Sequence, residues 1–203
     1  MRLIGLLMTG GWPMLVLAAC SVVGVTIVLE RYLALRRQNV INDDALRIVE
    51  SYGGEQEADH ALAKCQRVPG AFARIVEELI RKRHLDHAQA IETMRAVGRT
   101  QVGQLERGLA VLEMVAGVSP LIGLLGTVLG MVTMFSAITA QGTNTPQVIS
   151  GGISEALITT VGGLAVAIPA VAAHALLSRR VESYAIEMQD RATSFIVQLQ
   201  QEK

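Results

Sequence analysis

Aromatic residues are scarce in this chain: three phenylalanines, three tyrosines and one tryptophan among 203 residues. A water-soluble core draws much of its buried area from such rings, so that kind of core is poorly supplied. Charge is thin as well. Asp, Glu, Lys and Arg make up 18% of the chain, where an ordinary soluble domain carries about 25%. Basic and acidic residues balance at 18 each, which removes the bulk positive charge of a nucleic-acid binder. Cys20 and Cys65 are too few for a disulfide framework or a four-thiolate zinc site. Leu, Val, Ile, Ala and 19 glycines dominate instead, with a mean hydropathy of +0.40. That mixture suits membrane helices, where small residues let backbones approach closely.

The charges that exist are unevenly placed. Leu3–Leu29, Met114–Ser154 and Ala156–Ser178 contain no Asp, Glu, Lys or Arg. About 20 apolar residues suffice to cross a bilayer. The first and third stretches each predict one span. The middle one is too long for a single span and holds a polar break, Gln141-Gly142-Thr143-Asn144-Thr145-Pro146-Gln147. The expectation is an all-α integral membrane protein with three transmembrane helices. A short segment 1–11 precedes spans at 12–31, 114–140 and 150–178. A helical segment 32–113 separates the first two, a turn 141–149 the last two, and a helix 179–203 ends the chain.

Apart from Arg2, Arg179, Arg180, Arg191 and Lys203, all 18 basic residues lie between Arg31 and Arg107. The positive-inside rule then puts 32–113 and the C-terminal helix in the cytoplasm. The N-terminus and the 141–149 turn lie outside, in the periplasm for a bacterial inner membrane. Leu17-Ala18-Ala19-Cys20 looks like a lipoprotein cleavage site, but the residues after Cys20 stay apolar where a polar tether belongs. An uncleaved first span is the preferred reading.

The 32–113 segment reads as helices. Asn42-Asp43-Asp44 is a helix start and Gly53-Gly54 a stop. A short helix follows from Glu55 to about Gln66, ended by Pro69-Gly70. Another runs from Ala71 to about His84, with Phe72, Ile75, Val76 and Leu79 on one side. From Asp86, Ile91, Met94, Gly98, Val102, Leu105, Leu109 and Leu112 recur at steps of three and four. This stripe predicts one helix from 86 through the second span to 140. Val181, Tyr184, Met188, Ala192, Phe195 and Leu199 form a matching stripe after the third span. The second and third membrane helices are thus expected to extend into a cytoplasmic bundle, the two stripes packed antiparallel.

The second span carries Gly123, Gly126 and Gly130, of which the last two form a small-xxx-small pair that favours close helix contact. Thr127 lies near its centre. A lone hydroxyl there can bond a carbonyl of its own helix, so packing and polar-path readings both stand. The third span carries Glu155, Thr159, Thr160, Gly162, Gly163 and Pro169. Apart from Glu30 at the inner end of the first span, Glu155 is the one acid inside the spans, and such a group marks a polar path or a partner contact. Counted from the outer turn, Thr127 and Thr160 reach comparable depth, with Pro120 and Pro169 deeper toward the cytoplasm. Each proline frees a carbonyl one turn upstream. Glu155 and Thr160, five residues apart, point about 140° apart on an α-helix, and so face two surfaces rather than one point.

The stretches VSPLIGLLGTVLGM (Val118–Met131) and GGISEALITTVGGLAVAIPA (Gly151–Ala170) resemble the MotA/TolQ/ExbB proton-channel family, most closely its ExbB and TolQ branch. GGWPML (Gly10–Leu15) and IVLERYLALRR (Ile27–Arg37) are similar as well. The resemblance implies a homopentamer whose second and third spans line a central pore. A single-span ExbD- or TolR-like partner inserts there and supplies an aspartate. Proton flow then drives a motor that energises TonB or TolA. Thr127 and Thr160 fall on the family's pore threonines, Glu155 on its third-span glutamate, and Pro120 and Pro169 on its intramembrane prolines. Gly123, Gly126, Gly130, Gly162 and Gly163 fall to helix packing. Protons are the coupling ion, with no cofactor.

Two other readings compete. The chain can be a non-motor structural or assembly subunit, its glycines and threonines serving packing alone. An intramembrane enzyme using Ser119 and His174 is disfavoured, since no oxyanion-hole motif accompanies them and three spans do not enclose a water-filled cleft. His84 and His87 stand three apart without a carboxylate and thiol to complete a metal site.

Overall fold

The structure is a computed structural model and describes residues 11–54, 58–141 and 146–201. Among the described residues all regular structure is helical. In chain order the helices are α1 (Gly11–Ala34), α2 (Arg37–Val40), α3 (Asp43–Glu50), α4 (Ala58–Arg67), α5 (Ala71–Arg81), α6 (His87–Leu105), α7 (Leu109–Gln141) and α8 (Pro146–Gln201). Three of them, α1, α7 and α8, are long and apolar enough to cross a membrane. Leu15, Val22, Leu121, Phe135, Leu157, Val161 and Ile168 all face outward on these helices. An apolar exterior with every backbone bond closed inside a helix is what a bilayer requires. This is a membrane protein of three spanning helices.

The chain divides into two compact units. One joins α1 up to Leu29 with Gly108–Ala175, and the other joins Glu30–Arg107 with the chain from Leu176 onward. α8 has 56 residues, or roughly 84 Å at 1.5 Å per residue. A bilayer core needs only about 30 Å, and the charged remainder of α8 from Arg179 belongs to the second unit.

In the first unit α7 and α8 form an antiparallel hairpin. Gly130 meets Ala156, Gly126 meets Thr159, and Gly123 meets Thr160 and Gly163. α1 lies against both: Met14 and Leu17 meet Gly162 of α8, while Gly24 meets Leu112 and Val115 of α7.

The second unit is organised around α5, where eight of eleven residues are buried. It packs against α2, α3, α4 and α6. Phe72, Ile75, Val76, Leu79 and Ile80 meet a core that includes Val40, Ile41, Ile48, Tyr52, Phe195 and Ile196. Tyr52 and Phe195 stack edge to face, ring centroids 5.5 Å apart. Glu77, also buried, is held between Arg81 at 2.7 Å and Arg74 at 3.3 Å. The tail of α8 runs antiparallel to α6, because His87 meets Gln200 and Met94 meets Thr193. The stretch after the first span is tied to α8 by three contacts. Tyr184 donates to the Leu35 carbonyl at 3.1 Å, Arg37 pairs with Glu187 at 2.7 Å, and Arg180 stacks over Tyr32 at 5.3 Å.

The local starts follow the sequence. The Asn42 side chain accepts from the Asp44 amide at 2.9 Å, and Asp86 and Gln89 close a capping box at the head of α6. The expected helix from 86 to 140 is divided, however. α6 stops at Leu105 and α7 begins at Leu109, with Gly108 at φ +86° between them. That left-handed backbone is open to glycine at little cost. Arg31 is nearly buried and reaches the last carbonyls of α6, at Gln104 and Leu105, both at 3.5 Å. A cation there is favoured by the helix dipole. The apolar stripe runs through the break, which is why periodicity alone missed it.

Two measurements check this packing. Phe195→Ala removes a fully buried ring, and its cost is expected at about 3–5 kcal/mol, read as a clear fall in the melting temperature of the second unit. Cys65 is buried, and desolvation, helped by the nearby Glu77 charge, pushes its thiol up to about 11 from 9.0. At pH 8 the folded protein then holds about a hundredfold less thiolate at Cys65 than an unfolded chain. Iodoacetamide labelling followed by peptide mass spectrometry should show that ratio.

Candidate functional site

Pure apolar helices gain little from pairing in lipid, so the α7–α8 contact depends on how near two backbones can come. Ser119, Gly123, Gly126, Gly130 and Met134, spaced by three and four, face Gly152, Ala156, Thr159, Thr160 and Gly163. A Cβ on Gly163 would stand 2.6 Å from the Ser119 carbonyl oxygen, and one on Gly126 2.5 Å from Thr159 Oγ1. Neither position has room for a side chain.

Hydroxyls gather where the backbones are closest. Thr159 Oγ1 donates to the Ala156 carbonyl at 2.7 Å and also lies 3.3 Å from the Gly123 carbonyl oxygen. It is only 1% exposed. Thr160 Oγ1 donates to the same Gly123 oxygen at 3.2 Å and is half-buried. Thr127 stands one turn past Gly123 on α7, at the flank of the contact. Its hydroxyl donates to the Leu124 carbonyl of its own helix at 2.5 Å. The structure thus joins Thr160 directly to Gly123 and places Thr127 a turn away, level with the Ala156–Thr159 stretch. Glu155 lies within α8, and its side chain is outside the described residues.

The remaining residues divide by neighbour. Gly162 faces Met14 and Leu17 of α1, not the hairpin. Pro120 and Pro169 lie inside α7 and α8. Pro120 leaves the Ala116 carbonyl without its helical donor, and one residue earlier Ser119 donates to Val115 at 2.6 Å. Pro169 lines an apolar cavity of about 350 Å³ with Gly24, Leu112 and Val115. Ser119 is fully buried with its proton committed to Val115, so it offers no accessible nucleophile. His87 bonds Gln200 at 2.9 Å.

Thr159 is the residue that sequence reasoning undervalued. Its signal was present: Gly152, Ala156, Thr159 and Gly163 are small residues at steps of four, three and four, the same spacing as the glycines opposite.

A threonine hydroxyl has one proton to donate and lone pairs with which to accept. In this arrangement the protons of Thr127, Thr159 and Thr160 all go to backbone carbonyls. The flanking pair, Thr127 and Thr160, keep acceptor capacity for a group that brings its own proton. Among the described residues no carboxylate bonds to any of these three.

Fold and site together define a helical membrane protein whose last two spans form a glycine-packed, threonine-bearing hairpin. Comparison with known proteins refines this. The sequence pattern of the MotA/TolQ/ExbB proton channel family matches residues 67–190, and the chain belongs to that family. The biopolymer transport protein exbB1 of Vibrio cholerae is 33% identical over 183 residues, 82% of this chain and 74% of that protein. The biopolymer transport protein ExbB of Xanthomonas campestris is 33% identical over 143 residues, 67% of this chain and 54% of that protein. The Tol-Pal system protein TolQ of Haemophilus influenzae is 45% identical over 94 residues, 45% of this chain and 41% of TolQ. The chain therefore spans between 41% and 74% of the lengths of these relatives.

The contact geometry predicts opposite outcomes at two glycines. Gly163→Ala meets a backbone oxygen that cannot rotate away, and should cost about 1–3 kcal/mol. Gly117→Ala meets open space and should be neutral or gain up to about 1 kcal/mol of helix propensity. Thermal unfolding of both variants in one detergent tests the pair.

Proposed function

We propose that the chain is the channel and motor subunit of an inner-membrane complex of the ExbB–ExbD or TolQ–TolR type. In this reading it forms a homopentamer, with the N-terminus periplasmic and the C-terminus cytoplasmic. α7 and the membrane part of α8 line a central path. A single-span ExbD- or TolR-like partner supplies a titratable aspartate, and proton flow energises a TonB- or TolA-like protein acting across the envelope.

One observation carries the reading: hydroxyls concentrate at the α7–α8 contact while, among the described residues, no ionisable group accompanies them at that level. Such a wall cannot relay protons alone. It can exchange hydrogen bonds with a carboxyl brought from elsewhere. A protonated aspartic acid donates to the free lone pairs of Thr127 or Thr160. Once it is ionised, the aspartate accepts instead, and a threonine proton turns from its carbonyl toward the new charge. The Gly123 carbonyl tolerates this, since it remains the acceptor of the Thr127 amide in the helix. Glu155, nearer the outer turn, belongs to the same path as a proton-bearing group at its periplasmic side. Pro120, Pro169 and the glycines shape and pack the path.

The self-satisfied hydroxyls also favour a second reading, a non-motor scaffold in which threonines only join helices. The two differ in outcome. Thr160→Val removes a hydroxyl at almost unchanged volume, and Thr127→Ala removes the hydroxyl together with its methyl group. In the motor reading proton-coupled uptake falls about tenfold to a hundredfold, the worth of a hydrogen bond to a charged group, with complex size and amount unchanged. In the scaffold reading uptake survives. Glu155→Ala is expected to weaken uptake while insertion stays normal, and the chain expressed without its acidic partner should leak few protons. Uptake assays beside native mass spectrometry of the complex decide.

A further inference from the structure

The second unit contains a groove of about 520 Å³ between α5, α6 and the tail of α8. Its floor is apolar, formed by Ile75, Met94 and Met188. Its rim carries Arg95 and Arg99, one turn apart on α6, while Glu106, just past the end of α6, and Gln189 of α8 also line it. Both arginines are exposed, and among the described residues neither has an ion-pair partner within 4.0 Å. Gly98 sits between them. A Cβ there would meet nothing within 4 Å, so no neighbour in this chain requires glycine. Glycine is a poor choice inside a helix, and here its effect is to keep the groove open.

The complementary surface lies on α8 itself. Glu182, Ile186 and Asp190 recur every four residues, which places them on one face. Ile186 is 57% exposed, and Val197 further along the same side is 44% exposed. Glu182 and Asp190 are exposed and, among the described residues, have no ion-pair partner. This face lies about 100° around the helix from the Ala185 side that lines the groove. The stripe therefore cannot fill the groove of its own chain. An apolar knob flanked by two acids matches an apolar slot flanked by two arginines.

We propose that the groove seats the C-terminal helix of a second copy of this chain, which inserts Ile186 beside Gly98 and sets Glu182 and Asp190 against Arg95 and Arg99. Knob and slot occupy different faces, so the contact is heterologous and propagates around a ring instead of closing a two-fold pair. The charges select the neighbour and its register, and the buried isoleucine holds it. This inference rests on the homo-oligomeric part of the proposed function and names the surface that builds the oligomer outside the membrane.

The test uses the full chain in membranes, with Cys20 and Cys65 replaced by Ala. Two differently tagged copies are co-expressed, one carrying Gly98→Cys and the other Ile186→Cys, and oxidised with copper phenanthroline. A disulfide joining the two tags is expected. Its absence from an assembled complex overturns the proposal. Arg95→Glu with Arg99→Glu should lower the assembled fraction by about tenfold or more, and adding Glu182→Arg with Asp190→Arg should restore it. If the reversal leaves assembly intact but removes activity, the groove serves an acidic partner of another kind and the proposal falls. A wild-type chain that is monomeric in native mass spectrometry overturns the oligomer itself. An oligomer without the disulfide overturns only this interface.

Discussion

Between two apolar helices in lipid the hydrophobic effect supplies almost nothing, because leucine is as well accommodated by acyl chains as by another leucine. What holds α7 to α8 is therefore contact geometry. Gly123, Gly126 and Gly163 remove the side chains that would keep the backbones apart, to the point that a Cβ at Gly126 or Gly163 would collide with its neighbour. Thr159 fills the tightest place and bonds across to the Gly123 oxygen. The register of the hairpin follows from these few contacts, and the placement of Thr127, Thr159 and Thr160 follows from the register.

The same register separates two adjacent threonines into different roles. Thr159 points into the contact and is sealed there. Thr160 is turned about 100° away, half-buried at the edge, with its hydroxyl still within reach of Gly123. Thr127 stands at the edge of the facing helix. Packing is thus served by Thr159, while the polar path proposed above draws on different side chains only a few residues apart. The scaffold and channel readings need not compete for the same residue: Thr159 joins the helices, while Thr127 and Thr160 keep acceptor capacity that packing does not use.

The spans were legible because a bilayer excludes charge, and a run of more than twenty residues without Asp, Glu, Lys or Arg is long enough to cross one. The starts of α3 and α6 were legible because Asn42 and Asp86 satisfy backbone amides by short-range chemistry. The break at Gly108 escaped because Leu105, Leu109 and Leu112 keep the helical period across it, and a period does not record the sign of one φ angle. Counting from the outer turn gave Thr127 and Thr160 similar depth. It could not tell Thr159 from Thr160, because that depends on how α8 is rotated against α7, and rotation is fixed by glycines on the opposite helix. The groove beside Gly98 was hidden for a related reason. Met94, Gly98 and Val102 read as one covered stripe, whereas the tail of α8 covers only part of it.

The two units handle polarity in opposite ways, and solvent is the reason for the difference. An unsatisfied polar group in hydrocarbon costs several kcal/mol. In the first unit Thr26, Ser119, Thr127, Thr133, Ser136 and Thr139 each return their proton to a carbonyl three or four residues earlier. Each of these hydroxyl protons is satisfied within its own helix, so none of them is left open to lipid. The second unit carries the ion pairs, and there an unpaired arginine or glutamate on the surface is hydrated at little cost. Arg95, Arg99, Glu182 and Asp190 of the second unit are exposed and, among the described residues, outside any ion pair. In the proposed function, the hairpin threonines act on a carboxyl brought to them. The contrast between a self-satisfied membrane hairpin and a charge-bearing bundle thus follows from the solvent that each unit meets.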